Sequence, residues 1–432
     1  MRRFLYALCL AALATLWILG GTEITALQQA AAVAEEPLPQ PYLALVNANV
    51  LDVRTGAIRN GATVVLRGGQ IVSVYNGAAP AAAQVMDLEG RYVLPGFMDG
   101  HYHSRSLAGA RRAVESGVTT VKSASVGGFS DIALRELSRK GLIPGPDVLA
   151  AGAYVMPQGL GESALADPRL FKLFSMRLDR PENIRLVIQV DADRGVDWIK
   201  TRSTDAAGSA NTDPREQVFT EEQMKVIVDE ATKHNLPVSC HAQGDVGIQV
   251  AARAGVKTIE HGSYMSEAGL KAMKENGTVW NPTFTSVIDM GEPHNDYENI
   301  TTENRAPYMI WNMRRLIPKA HKMGIPVITS TDTTYGPEST TRLYKEISNF
   351  VEMGLTPLEA LQSATIVSAR VYGLEKKTGA VEPGLEADLV VFDRNPLANI
   401  LAVHDPVLVV SNGRIALNRP LIPVRPGRVP GE

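Results

Sequence analysis

Six side chains in this sequence could together do chemistry: His101, His103, Lys200, His241, His261 and Asp332. His101 and His103 close the stretch Pro-Gly-Phe-Met-Asp-Gly-His-Tyr-His. Residues i and i+2 of a strand point to one face, so a single ion can take both imidazoles. A His-x-His pair alone is weak evidence. His241 follows Val-Ser-Cys, His261 follows Thr-Ile-Glu and Asp332 follows Ile-Thr-Ser-Thr. Each ends a mostly apolar run, as a residue emerging at the tip of a buried strand does. Taken singly, each reads more simply as a hydrogen-bonded core histidine or a helix-capping aspartate. On one rim they read differently, because a buried cluster of imidazoles and a carboxylate without a cation is costly. Nitrogen and oxygen donors of this kind suit a divalent ion that acidifies water for hydrolysis.

Lys200 ends the run Asp-Trp-Ile-Lys and leaves three readings open. It is a lysine snorkelling to solvent, a catalytic cation beside one metal, or a lysine carboxylated by carbon dioxide into an anion bridging two metals. The third balances the charge of two divalent ions best. Cys240 reads as a small buried apolar residue.

The elements that must position these groups alternate along the middle of the chain. Candidate strands are Gly96–His103, Thr119–Ala124, Val148–Val155, Trp198–Ser203, Val238–Gln243, Thr258–Tyr264, Thr278–Phe284 and Val327–Asp332. Helical patterns separate them. The clearest is Glu221–His234, with a capping box from Thr220 and Gln223 and an apolar face of Met224, Ile227, Val228 and Ala231. Gly255 and Gly277 sit where helix C-caps belong. Eight strand–helix units predict an α/β fold, a (β/α)8 TIM barrel with its chemistry at the strand C-termini. An extra helix is expected over Pro357–Tyr372, and long rim loops over Met156–Arg180 and Thr285–Arg305. Extended segments at Leu43–Val53, Thr63–Tyr75, Gln84–Leu94, Ala387–Phe392 and Val407–Ile415 predict a small β-domain built from both ends of the chain.

A net charge of −3 supplies no basic field, so nucleic acid is not an expected partner. Arg2 and Arg3, an apolar run from Phe4 to Leu19, and Ala32-Val33-Ala34 read as a cleaved secretory signal over 1–34, with an uncleaved anchor as the alternative. The mature chain is then expected outside the cytoplasm, periplasmic or secreted, with no stable membrane insertion. Loss of Cys9 with the signal leaves Cys240 without an intrachain partner.

Several stretches together resemble the amidohydrolase superfamily, and within it the imidazolonepropionase-like group with metal-dependent Xaa dipeptidases. They are Val93–His103, Asp197–Lys200, Ile259–Gly262 and Thr329–Thr333. Ala380–Val391 is similar to the segment where that family's chain re-enters its β-sandwich. The resemblance implies a β-sandwich from 41–95 and 376–420 around a hydrolase barrel over 96–375. It also implies His101, His103 and Asp332 on one metal, His241 and His261 on a second, and carboxylated Lys200 bridging them. Zinc is the default pair of ions for such donors. Asp332 would shuttle the proton during hydrolysis of a C–N amide bond, linear or cyclic, in a small-molecule substrate. Tyr264, three residues beyond His261, is a candidate oxyanion donor or a rim aromatic. The loop Met156–Glu162 carries no histidine where the dipeptidases hold a substrate carboxylate. Arg202 is a candidate replacement, or a partner of Asp205. His294 is a further candidate from the loop after the seventh strand. A mononuclear lactam hydrolase or deaminase with unmodified Lys200, and a non-catalytic binding protein, are the alternatives; a homo-oligomer stays open.

Overall fold

Alternating aliphatic residues build the first strands, β1 (Leu43–Leu51), β2 (Ile58–Arg67), β3 (Gln70–Asn76), β4 (Gln84–Asp87) and β5 (Tyr92–Pro95). The structure, a computed structural model, describes residues 41–297 and 299–425. The expected signal over 1–34, Cys9 included, lies outside the described residues. The middle of the chain contributes β6 (Phe97–Tyr102), β7 (Val118–Ser123), β8 (Asp147–Leu149), β9 (Ile199–Arg202), β10 (Val238–Gly244), β11 (Thr258–Tyr264) and β12 (Val279–Asn281). Near the C-terminus follow β13 (Leu389–Phe392), β14 (Leu408–Ser411) and β15 (Arg414–Asn418).

Strands from both ends share one sheet, in the order β15-β14-β13-β5-β1-β2-β3 with β4 beside β1. The junction is β5 against β13, antiparallel, with Val93 opposite Val391 and Leu94 opposite Val390. Period-two alternation divides the labour of β13. Leu389 and Val391 pack into the sheet's own core, while Val390 and Phe392 enter the large core of the middle region.

The middle strands are parallel and form two sheets, β6-β7-β8 and β12-β11-β10-β9. Every residue of β6, β7 and β10 is buried, as in parallel sheets covered on both faces. Single parallel bridges join Val155 to Thr201, Trp280 to Val327 and Tyr102 to Thr333. The fold is α/β.

Several expected elements differ in detail. Val327–Asp332 forms no continuous ladder. Its amides instead find separate partners: Asp332 N–H donates to His101 O at 2.9 Å, and Thr331 N–H to the Asp99 carboxylate at 3.0 Å. The seventh strand stops at Asn281, and Phe284–Met290 is a helix where a loop was expected. The loop expected over Met156–Arg180 holds a short helix, Glu162–Leu165, and a 3-10 turn, Pro168–Leu173. Pro357–Tyr372 divides into the helices Pro357–Ser363 and Ile366–Val371. The capping box at Thr220 and Gln223 is formed, and Gly255 closes the next helix at φ 95°. Among the described residues no helix is long and apolar enough to cross a membrane.

Candidate metal centre

The ends of β6, β9, β10 and β11 bring five of the six chemical side chains together, and the extended segment after Val327 delivers the sixth. Cross-strand register sets the faces. Lys200 pairs with Ser239 and Arg202 with His241, so these four residues share one side of their strands. His241 pairs in turn with Glu260, which puts Glu260 on that side too. His261 comes next, and regular alternation would turn it away. Its backbone instead adopts φ 74°, a left-handed conformation uncommon for a non-glycine residue. Asp332 does the same at φ 54°. Such strained residues cluster at functional sites, and here they aim a candidate ligand inward.

His101 Nε2 and His103 Nε2 lie 3.1 Å apart, each 3.2 Å from Asp332 Oδ1. Three donor atoms at that spacing match the edges of a coordination shell whose ligands stand about 2.0–2.2 Å from the ion. His261 continues the cluster, its ring centroid 4.8 Å from that of His101 and 4.4 Å from that of His241. His261 Nδ1 lies 2.7 Å from Thr283 Oγ1, His103 Nδ1 lies 3.1 Å from Ser125 O, and His241 Nε2 lies 3.1 Å from Asp205 O. Partners of this kind fix which ring nitrogen is free to bind. Lys200 Nζ, fully buried, has no partner within normal hydrogen-bonding geometry.

Burial, with Lys200 adding repulsion, pushes the His101 imidazolium down to about 4. Burial also lowers His103, His241 and His261. These imidazoles are therefore neutral at pH 7, the form that ligates. Burial alone would raise Asp332, but the neighbouring His101 and His103 hold it well below the usual carboxylate range. The Lys200 amine is lowered far from its ordinary value by burial and then by Lys122. The donors, their spacing and their protonation fit a divalent cation.

The cluster lines a cavity of about 240 Å³ with Tyr154, Arg202, Gln243, Met290 and Tyr297. Small-molecule sites commonly span about 300–1,000 Å³, so only a compact substrate fits. His103 and Asp332 keep 32% and 17% of their side chains exposed and form the solvent edge. Arg202 stands in the wall, its Nη1 3.5 Å from Asp205 Oδ1 and its Nε buried without a partner.

Two expected residues lie elsewhere. Tyr264 is not among the residues lining the cavity and stacks on Tyr308, centroids 5.3 Å apart. His294 lines a separate cavity with Lys345 and His404. Tyr297 stands instead at the centre, its hydroxyl donating to Asp332 Oδ2 at 3.3 Å. Asp99 also went unassigned from sequence. It accepts from His101 N and Thr331 N, both at 3.0 Å, and from Tyr335 Oη at 2.8 Å, tying the two ligand-bearing segments together.

The model of the amidohydrolase family matches residues 92–416. With the α/β fold, that match defines the class of protein. The chain belongs to the amidohydrolase family. An ochratoxinase of Aspergillus niger is 28% identical over 331 residues, 71% of this chain and 66% of the relative, so the chain spans just under two thirds of that relative's length. An imidazolonepropionase of Chromobacterium violaceum is 27% identical over 393 residues, 81% of this chain and 89% of the relative. In fold, a Xaa-Pro dipeptidase crystallised with bound methionine superposes with a TM-score of 0.77 at 24% identity, covering 87% of this chain and 99% of the other. The A. niger ochratoxinase structure gives 0.72 at 23%, covering 88% and 96%.

Proposed function

We propose that the chain is a metal-dependent amidohydrolase that cleaves a compact amide carrying a carboxylate near the scissile bond. The observation that carries this reading is the meeting of His101 Nε2, His103 Nε2 and Asp332 Oδ1 within 3.2 Å, in a cavity that also holds Lys200, His241 and His261. His101, His103 and Asp332 would hold one divalent ion and His241 and His261 a second, zinc by the chemistry of the donors. Lys200, carboxylated on Nζ, would bridge them. When bound, the ions supply Lewis acidity and lower the pKa of water.

The chain's own residues do the rest. Asp332 accepts the proton of the attacking water and passes it to the departing nitrogen. Tyr297 fixes the orientation of Asp332 through Oδ2. Arg202, in the cavity wall, offers its guanidinium to the substrate carboxylate. The names of the relatives support an amide, linear or cyclic, as the bond cleaved.

The bridges Val155–Thr201, Trp280–Val327 and Tyr102–Thr333 support closure of the two parallel sheets into a (β/α)8 barrel over 96–375. The β-sandwich would be built from 41–95 and 376–420. Residues 1–34 would direct export to the periplasm or medium and be removed.

Metal analysis and a substrate panel test the reading. Zinc-loaded protein is expected to carry two ions per chain and to hydrolyse N-acyl amino acids or dipeptides faster than the corresponding amides without a carboxylate. A chelator should abolish the rate and zinc restore it. Metal-loaded protein inert toward acyl-amino acids, dipeptides and lactams alike would defeat the proposal. The contact of Lys200 Nζ with the buried Glu260 carboxylate suits a second reading, one ion beside an ordinary lysine. One zinc per chain would select it.

A further inference from the structure

Beneath the ligand cluster lies a buried charged group that the hydrolytic reading leaves unused. Glu260 and Lys122 are completely inaccessible to solvent, and Lys122 Nζ donates to Glu260 Oε1 at 2.6 Å. The Trp198 ring flanks Lys122, its centroid 5.5 Å from Nζ. This clamp turns the other carboxylate oxygen toward the ligand cluster. Oε2 faces His101 Nδ1 at 3.3 Å and also contacts Lys200 Nζ.

The two edges of the His101 ring have different surroundings. Nε2 faces His103 and Asp332, and Nδ1 faces Glu260. A neutral imidazole carries one proton, and a nitrogen that binds metal must carry none. Among the described residues neither His101 Nδ1 nor Glu260 Oε2 has a partner within normal hydrogen-bonding geometry. A proton on Nδ1 gives each of these buried atoms its partner in the other. The N–H retained on Lys200, whether amine or carbamate, can donate to the same oxygen.

We propose that Glu260, held by Lys122, is a positioning residue that aims His101 Nε2 and the Lys200 Nζ substituent at the metals. The proposal rests on the metal-dependent reading above. Glu260 stands on the Nδ1 side of His101, opposite the edge that meets His103 and Asp332, so it orients ligands instead of binding an ion. Outer partners of metal ligands commonly alter affinity by about 10–100-fold.

The test uses the full chain and two measurements. In metal-free, ¹⁵N-histidine-labelled protein, long-range proton–nitrogen correlation reads the His101 tautomer, with His101→Asn identifying its signals. The wild type should carry the proton on Nδ1, and Glu260→Gln should give a mixture of tautomers. A wild-type proton on Nε2 overturns the proposal whether or not Glu260→Gln folds. The second measurement is a cobalt(II) titration followed by visible absorption, with circular dichroism confirming the fold of Glu260→Gln. This variant should bind the same number of ions as wild type, about 10–100-fold more weakly. Equal affinity overturns the proposal. Loss of one ion per chain also overturns it, because Glu260 would then be a ligand. A wild type that takes up no cobalt refutes the metal-dependent reading, while the tautomer still decides the role of Glu260.

Discussion

Both carboxylate oxygens of Asp332 are engaged, Oδ1 by His101 and His103 and Oδ2 by Tyr297. Asp332→Asn removes the proton acceptor and is expected to lower kcat by about 10²–10⁴-fold. Steady-state kinetics on metal-loaded protein check this, and a rate within tenfold of wild type would exclude Asp332 as the shuttle. Tyr297→Phe removes one donor to a charged group, so kcat should fall about 10–100-fold with metal content unchanged. Acid sensitivity follows from the imidazoles. Burial, reinforced by Lys200, holds folded His101 near 4, and burial lowers His103, His241 and His261 as well. All four titrate near about 6.5 when unfolded. Below that value the unfolded chain binds protons that the folded chain refuses, so acid favours unfolding. Thermal unfolding of metal-free protein should therefore show a midpoint that falls from pH 6.5 toward 4. A midpoint constant across that window would contradict the assignment. The six candidate ligands were legible in sequence because each falls in the later part of an expected strand. Glu260 and Lys122 were not, since their meaning lies in a pair 138 positions apart. Of the two readings of Tyr264, the stacking on Tyr308 accords with the rim aromatic.

The helix Phe284–Met290 shows why some elements escape a reading by pattern. Its N-terminal amides, Phe284 N and Thr285 N, donate to the Glu346 carboxylate at 3.0 and 2.7 Å. The cap therefore comes from another helix, 62 positions away from Phe284, while Thr283 at the N-cap position makes no side-chain capping hydrogen bond. Glu346→Ala leaves these buried donors unmatched and should cost about 1–3 kcal/mol of stability, measurable by urea denaturation. Met290, at the far end of the helix, lines the cavity, so KM should rise in the same variant. Neither change would occur if the helix were held by packing alone. The alternation of strands and helices from β6 to β12 was readable because short stretches holding Val, Ile or Trp alternate with amphipathic helical patterns. The segment Val327–Asp332 was readable as extended, but its ladder is replaced in part by the Asp99 side chain. Hydrophobic pattern carries no sign of such a substitution.

On the scale of the whole molecule, sequence correctly suggested that both chain ends build one sheet, since aliphatic segments recur on either side of a different middle. It gave no register. The sheet is sealed where β5 meets β13, and the ion pair Arg91–Asp393, 2.7 Å long, lies beside that seam. A chain ending at residue 388 would lack β13, β14 and β15 and leave β5 without its antiparallel neighbour. Such a truncation should yield no soluble protein with a cooperative melt, whereas a cooperative melt would show that the remaining strands suffice. The seam also imposes an order on biosynthesis. Arg91 leaves the ribosome 302 residues ahead of Asp393. At elongation rates of about 5–20 residues per second, the N-terminal hairpins wait on the order of 15–60 s with an open edge. During that interval the nascent polypeptide is a target for strand-to-strand association, and its yield should depend on chaperones that shield the edge until translation ends.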